Sequence, residues 1–405
     1  MRKPVDTAII GAGPYGLSLA AHLGAAGVSH RIFGKVLDTW RHHMPRTMQL
    51  KSEGIASSLS SPLPGSRIED YCAANGLAYQ DHDLPVPLEQ FSAYATGFAE
   101  RFVPQMEDAL VTSVTRDGDG FLVTLDTGET LAARNVVAAV GITAFAYTPD
   151  MLAALPASSL SHSFDHRDGG QFKGKDVVVL GAGASAIDTA ALLDDCGAKV
   201  TIVARDEAIR FHSPPDPDSG SLMSTIQKPP TGIGPGWRSF FCVHLPLLFH
   251  KLPESLRLRA VRTHLGPAPG WFMRERIEGR ITALLHHRLE RARTHDGRVS
   301  LDVRGPDGEK TLTCDHIVAA TGYRIDLDRL GWLASIAPDI DAVEKTPILS
   351  DTFESSVPGL YFMGPAAANS FGPLMRFMVG AEFAAPRLAG VLTRKASQQQ
   401  TRAAA

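Results

Sequence analysis

The stretches VDTAIIGAGPYG, Val5 to Gly16, and KDVVVLGAGASA, Lys175 to Ala186, carry one pattern twice. In each, an apolar strand ends in Gly-x-Gly-x-x-Gly or -Ala and opens into a helix. That geometry turns the free N–H groups and the positive end of the helix toward a pyrophosphate. The glycines are Gly11, Gly13 and Gly16 in the first copy and Gly181 and Gly183 in the second, where Ala186 takes the third place. The first glycine permits the tight turn, the second lets a phosphate approach the backbone, and the third lets the helix pack on the strand. Pro14 suits the first helical turn, where its missing N–H is no loss. Laying Gly11 on Gly181 also lays Gly27 on Gly197, Ile32 on Ile202 and Lys35 on Arg205 without a gap. The chain therefore reads as α/β, with two dinucleotide-binding, Rossmann-like βαβ units. Two such sites in one chain are most economically a nicotinamide that gives up a hydride and a flavin that accepts it.

With 405 residues there is room for two or three domains, and 44% hydrophobic and 20% charged residues with a net charge of -3 describe an ordinary globular protein. Nothing is basic enough to expect a nucleic-acid partner. MRKPVDTAII runs straight into the first strand, leaving no room for a leader, and no apolar run approaches the roughly 18 residues of a membrane span. A cytoplasmic protein without a transmembrane segment is the expectation. Cys72, Cys196, Cys242 and Cys314 form no C-x-x-C, which argues against a disulfide reductase, whose chemistry needs two neighbouring thiols.

Along the chain, strand 5–10, a helix from about Pro14 to Leu23 and strand 30–33 make the first unit. A Ser/Pro-rich stretch, 44–66, precedes a helix at 88–102. FLVTL and ETLAA then flank the turn DTGE as a hairpin, and a separate strand, NVVAAVGI, closes this part at Gly141. The second unit repeats strand, helix and strand at 177–180, 184–194 and 200–204. A Pro/Gly-rich insertion, about 211–270, reads as loops and short helices. Its apolar stretch SFFCVHLPLLFHKLP, broken by Pro246, would line a substrate entrance, pack against a second subunit of a homo-oligomer, or touch a membrane surface. Strands return around RVSLDVR and EKTLTC, and PGLYFMGPAAANSFGPLMRFMVGAEF reads as strand, turn and a helix over 374–388. The expected division is a flavin domain over 1–148, a nicotinamide domain over 149–312 inserted into it, the rest of the flavin domain over 313–392, and a disordered tail over 393–405.

From Val5 to Leu388 the chain resembles the flavin-dependent monooxygenases with two dinucleotide domains, the group of flavin-containing monooxygenases, Baeyer-Villiger monooxygenases and lysine and ornithine N-hydroxylases. The resemblance rests on GAGPYGLSLAAHL, on Asp38-Thr39-Trp40 where such proteins often carry Gly-Gly-x-Trp, and on Ala320-Thr321-Gly322-Tyr323 at the crossing between domains. It implies FAD at Gly11, Gly13, Pro14, Gly16, Lys35, Trp40, Val111, Gly141 and Gly364. It also implies NADPH at His162, Ser163, Gly181, Gly183, Ser185, Arg205, Thr321, Gly322 and Tyr323. One family feature is missing: the acid for the adenosine ribose is replaced by Gly34, so Lys35 would meet a phosphate or the adenine, or the ribose is held from elsewhere. Arg205 would pair with a 2'-phosphate and favour NADPH over NADH, or is a solvated surface residue. In LPASSLSHSFDH, His162 and Ser163 match the family's nicotinamide motif, whereas Pro156, Ser158 and His166 depart from it. His162 and His166 lie four apart with no Glu or Cys to complete a metal set, so no metal is expected.

Gln49, Lys51 and Ser52 would pass over the isoalloxazine and touch flavin or nicotinamide, or form a plain loop. Asn369, in the run before the last helix, would face the flavin's pyrimidine end, or the run is a simple strand-to-helix connection. The implied activity is an NADPH- and O2-dependent monooxygenation of a small substrate at nitrogen or sulfur, or of a ketone, through a C4a-hydroperoxyflavin. The rivals are a dehydrogenase or electron-transfer flavoprotein and a non-catalytic redox sensor.

Overall fold

Apolar strands that enter helices through the glycine turns organise two parallel sheets. The computed structural model describes residues 4–214 and 221–404. In the first unit β1 (Val5–Ile10), α1 (Pro14–Ala25) and β2 (His30–Phe33) form the βαβ half, with β1 and β2 parallel from Thr7↔His30 to Ile10↔Phe33. The chain continues through α2 (Asp38–His42), α3 (Ile68–Asn75) and α4 (Leu88–Phe102) to three strands, β3 (Val111–Asp117), β4 (Gly120–Leu125) and β5 (Thr130–Ala138).

The second unit holds β6 (Leu160–His162), β7 (Asp176–Leu180), α5 (Ala184–Asp195) and β8 (Lys199–Val203). The insertion carries α6 (Leu222–Gln227), α7 (Trp237–His244), α8 (Pro246–His250) and α9 (Glu254–Thr263). Residues 215–220 of its Pro-rich start lie outside the described residues. After α10 (Arg274–Ile277) come β9 (Thr282–Leu284), β10 (Arg288–His295), β11 (Arg298–Gly305), β12 (Gly308–Cys314) and β13 (His316–Ala319). The last part has a small hairpin, β14 (Ala342–Val343) and β15 (Thr346–Pro347), then β16 (Leu360–Phe362), α11 (Ala368–Phe371) and α12 (Ala381–Ala404).

The first sheet runs β2-β1-β5-β4-β3, with β16 also paired to β5. The second runs β6-β13-β7-β8-β9, all parallel. Its faces are dressed differently. Val177 and Val179 point toward α5 and α10, whereas Val178 and Leu180 point toward the antiparallel sheet β10-β11-β12, as the two-residue strand period requires. The architecture is two Rossmann-like domains, the second nested in the first. The insertion seals against the first domain, where Ile233 and Cys242 join its core and His250 stacks on Phe371 with centroids 5.0 Å apart.

Several expectations need correction. The hairpin strand ETLAA and the strand NVVAAVGI are one strand, β5. Its first half pairs antiparallel with β4, and its second half, apolar on both faces, pairs parallel with β1 and β16. The return to the first domain comes later than residue 313, because β13 pairs with β6 and β7 in the second sheet. No single helix covers 374–388: two 3-10 turns, Pro373–Arg376 and Met378–Gly380, precede α12. Phe377, extended at φ -111° and ψ 149°, breaks the run between the two turns, and Gly380 packs where a side chain would overlap the Tyr15 hydroxyl and the Leu374 carbonyl. The tail expected to be disordered continues α12 to Ala404. Leu388, Leu392 and Ala396 keep one face of that helix buried, and Thr393, Ser397 and Thr401 each donate to a carbonyl four residues back. Among the described residues no helix is long and apolar enough to cross a membrane.

Candidate functional site

The three glycines of the first loop do different work. Gly11 has φ +112°, and a methyl on it would overlap the Ala139 carbonyl; one on Gly16 would overlap the Gly11 carbonyl. Both positions are closed by the fold itself. Gly13, by contrast, would have no heavy atom of the described residues beyond itself and its chain neighbours within 4 Å of a Cβ. The cradle at the α1 N-terminus is therefore open in the direction from which a pyrophosphate would arrive. Gly34 has φ +131°, and a methyl on it would stand 3.2 Å from the Ala12 nitrogen, so an acid there would press into this loop. Lys35 follows, exposed.

The C-terminal part closes over the same loop through Tyr15. Gly364, at φ +70°, would bring a methyl within 3.2 Å of the Tyr15 ring, and the Tyr15 hydroxyl donates to the Phe377 carbonyl at 2.7 Å. Burial pushes this hydroxyl far above its ordinary range, which keeps it a neutral donor. Sequence reasoning gives Tyr15 no role beyond the loop; its contacts lie 360 positions away and leave no local signal.

The second loop repeats the frame with one difference. Gly181 has φ +128° and abuts the Ala320 carbonyl, as Gly11 abuts Ala139. Gly183, however, faces Pro267 of the insertion, whose oxygen would lie 3.1 Å from a methyl at that glycine. The Ala184 N–H, the first free donor of α5, gives its hydrogen bond to the Pro267 carbonyl at 2.7 Å. A second bond, from the His212 N–H to the Pro269 carbonyl at 2.8 Å, holds the same segment down. A chain carbonyl thus stands where a phosphate oxygen would accept. Arg205 is exposed just beyond the end of β8, and Ser185 is half-buried in the first turn of α5.

Between the loops the two crossing strands meet. Ala146 bridges Tyr323, the Tyr147 N–H donates to the Gly322 carbonyl at 2.9 Å, and the Thr321 hydroxyl donates to the Tyr147 carbonyl. Gly141 and Gly322 take φ of +61° and +82° at these turns. The His162 Nδ1 accepts from the Phe164 N–H at 3.1 Å, so Nε2 carries the proton and donates to the Gly322 carbonyl at 3.2 Å. Burial holds His162 below its ordinary range, hence neutral. The adjoining Ser163 hydroxyl is buried and has no hydrogen-bond partner among the described residues. His43 stacks on Phe164 with centroids 3.8 Å apart, docking this segment on the first domain. His166 turns elsewhere, to the Ser161 hydroxyl, and burial pushes it down to about 4. The two histidines therefore do not converge.

Lys51 makes a further contact that ties the domains. Its Nζ donates to Asp188 Oδ2 of α5 at 2.5 Å and to the Gln49 carbonyl at 3.0 Å, and lies 5.9 Å from the centre of the Phe272 ring. Asp188 is buried, its Oδ1 has no partner, and burial raises its carboxyl above the ordinary range while Lys51 only partly offsets the shift. Gln49 bridges Pro87, and the Ser52 hydroxyl is shared with Ser57 at 2.9 Å. Not every expected residue gathers here. The Asn369 amide is committed to the Thr346 hydroxyl at 2.7 Å, Val111 opens β3 paired with Leu125, and Trp40 packs on Phe91 with centroids 5.9 Å apart. The sequence does carry a signal for Asp188, an acid in the run AIDTAALL, where only Thr189 is also polar.

Residues 8–228 match the profile described as pyridine nucleotide-disulphide oxidoreductase. The chain belongs to that family. Its four cysteines are all free. It is 33% identical over 203 residues to indole-3-pyruvate monooxygenase YUCCA1 of Oryza sativa subsp. japonica, covering 49% of this chain and 47% of that one. It is 32% identical over 208 residues to ferredoxin–NADP reductase 1 of Cupriavidus metallidurans, covering 51% and 53%. The chain thus spans about half the length of these curated relatives. In fold it is similar to the ornithine N-hydroxylase of Kutzneria sp. 744, solved with reduced FAD, NADP+ and L-ornithine, with a TM-score of 0.76 at 16% identity over 97% of this chain and 100% of that one.

Proposed function

We propose that this family member is an NADPH- and O2-dependent FAD monooxygenase acting on nitrogen or sulfur of a small organic substrate. The observation that carries the reading is the pair of glycine loops, each joining a parallel strand to the N-terminus of a helix, the first with an open cradle at Gly13. Gly11, Gly13, Pro14 and Gly16 would hold the FAD pyrophosphate, with Gly141 and Gly364 allowing close approach of backbone. Gly181, Gly183, Ser185 and Arg205 would hold NADPH. FAD, when bound, would supply hydride acceptance and oxygen activation. The chain's own part would be orientation and exclusion of water: Tyr15 pins the C-terminal cover, and Lys51 with Asp188 keeps a cation against α5. The likeness to a monooxygenase among curated relatives supports this reading, and the ferredoxin–NADP reductases among them support the rival of an electron-transferring FAD reductase. The first test is spectroscopic. The purified protein is expected to be yellow and to bleach anaerobically with NADPH; colourless protein that takes up no FAD contradicts the reading.

Arg205 should set the nucleotide preference. Losing a charge-assisted pair to the 2'-phosphate costs about 1.5–3 kcal/mol, roughly one to two orders of magnitude. Arg205→Ala is expected to weaken NADPH by that factor and leave NADH nearly unchanged; equal loss for both assigns Arg205 to the surface alone.

NADPH would also have to move the Pro267 segment, because Ala184 has one N–H and the Pro267 carbonyl holds it. Hydrogen exchange should show this directly. On addition of NADP+ the His212 amide, released from Pro269, is expected to exchange faster. Unchanged or slower exchange there, with NADP+ bound, means the segment stays in place.

A further inference from the structure

The insertion has an outward face that the nucleotide sites do not use. Along α7, α8 and α9 the residues Trp237, Phe241, Leu245, Leu248, Leu252 and Leu256 recur every three or four positions and are 39–55% exposed. Between them Ser239, Cys242, Pro246 and Phe249 are buried against the body. On α6, Ile226 extends the same face, and its carbonyl accepts from the Trp237 indole N–H at 3.1 Å. Scattered exposed apolar residues are ordinary, but a run of this size marks an interaction surface.

Charge identifies what covers it. From Ser221 to His264 the chain has six Lys or Arg and one acid, Glu254, although the whole protein carries a net charge of -3. Lys228, Arg238, Lys251 and Arg259 are exposed and have no ion pair among the described residues, whereas Arg257 and Arg262 are committed to the Asn369 carbonyl and to Glu344. A two-fold dimer through this face would set the basic segment against itself, because the same patch faces its own copy. Trp, Phe and Leu on one face, rimmed by Lys and Arg that outnumber the segment's one acid, Glu254, is instead the make-up of an interfacial helix on an anionic bilayer.

We propose that α6–α9 form a monotopic docking surface for an anionic phospholipid bilayer, the apolar face entering the headgroup boundary and the four free cations meeting lipid phosphates. No spanning helix is needed for such attachment.

The test is co-sedimentation of the full chain with vesicles of phosphatidylcholine alone and of phosphatidylcholine mixed with phosphatidylglycerol, alongside its mass in solution. The expected result is binding to the mixed vesicles that falls as salt rises. Phe241→Ser/Leu248→Ser should weaken it at least about tenfold, since each side chain loses its apolar burial. Lys251→Glu/Arg259→Glu should weaken it by roughly fivefold for each cation lost. The second variant touches only exposed charges, so a folding defect in the first leaves the test intact. No binding to mixed vesicles overturns the proposal. So does equal binding to both kinds of vesicle, or a stable dimer that Phe241→Ser/Leu248→Ser converts to monomer, which would assign the face to a second copy.

Discussion

Gly13→Leu is expected to purify as folded, colourless protein. The backbone at Gly13 has φ -87° and ψ -174°, which any residue adopts, and the space in front of it is open. The substitution at this N-cap position costs the apoprotein about 1 kcal/mol at most. The same side chain fills the cradle, and losing two charge-assisted bonds to a pyrophosphate lowers FAD affinity roughly a thousandfold. Gly16→Leu separates the two effects, because a side chain there overlaps the Gly11 carbonyl and should prevent folding outright. Flavin absorbance per protein and a thermal melt of the apoprotein check both outcomes. Full flavin occupancy in Gly13→Leu would show that the first loop is not the flavin site.

Lys51→Met is the second large effect. It leaves the Asp188 carboxylate buried with neither oxygen paired, since Oδ1 has no partner already. Removing one member of a buried pair costs about 3–5 kcal/mol at neutral pH. The pH dependence follows from the direction of the shift. Burial raises the Asp188 carboxyl, and loss of Lys51 raises it further, so the folded state holds its proton more tightly than the unfolded chain does. Such a group stabilises fully below the ordinary carboxylate range and loses that contribution as pH rises through its folded value. The deficit of Lys51→Met should therefore narrow in acid. Lys51→Met/Asp188→Leu, which removes both charges, should recover most of the loss. Denaturant melts across pH decide it; a deficit that is small, or that grows in acid, contradicts the buried pair.

What could be read from the chain follows from how far each feature reaches. The units β1-α1-β2 and β7-α5-β8 are fixed by contacts within some thirty residues, and their glycines carry the turn chemistry in the sequence itself. The nested order was visible because the crossing ATGY and the second loop each have a local pattern. β5 reads as two strands because its halves obey different rules, alternating where it faces β4 and continuously apolar where it lies between β1 and β16. The role of Tyr15, the Lys51 to Asp188 bond and the Pro267 carbonyl on Ala184 all join residues more than eighty positions apart. No spacing rule encodes such pairs. The bond from the Asn369 amide to Thr346 of the β14–β15 hairpin likewise leaves no local pattern.

Electrons from NADPH should reach oxygen productively in this chain. The most direct measurement is the ratio of hydrogen peroxide released to NADPH consumed, taken with and without each member of a panel of small amines and sulfides. The account predicts that at least one amine or sulfide raises NADPH consumption and lowers the ratio well below one, with the missing oxygen found in the product. A ratio near one with every compound, together with rapid NADPH oxidation when a ferredoxin is supplied, would contradict monooxygenation and assign the two loops to electron transfer.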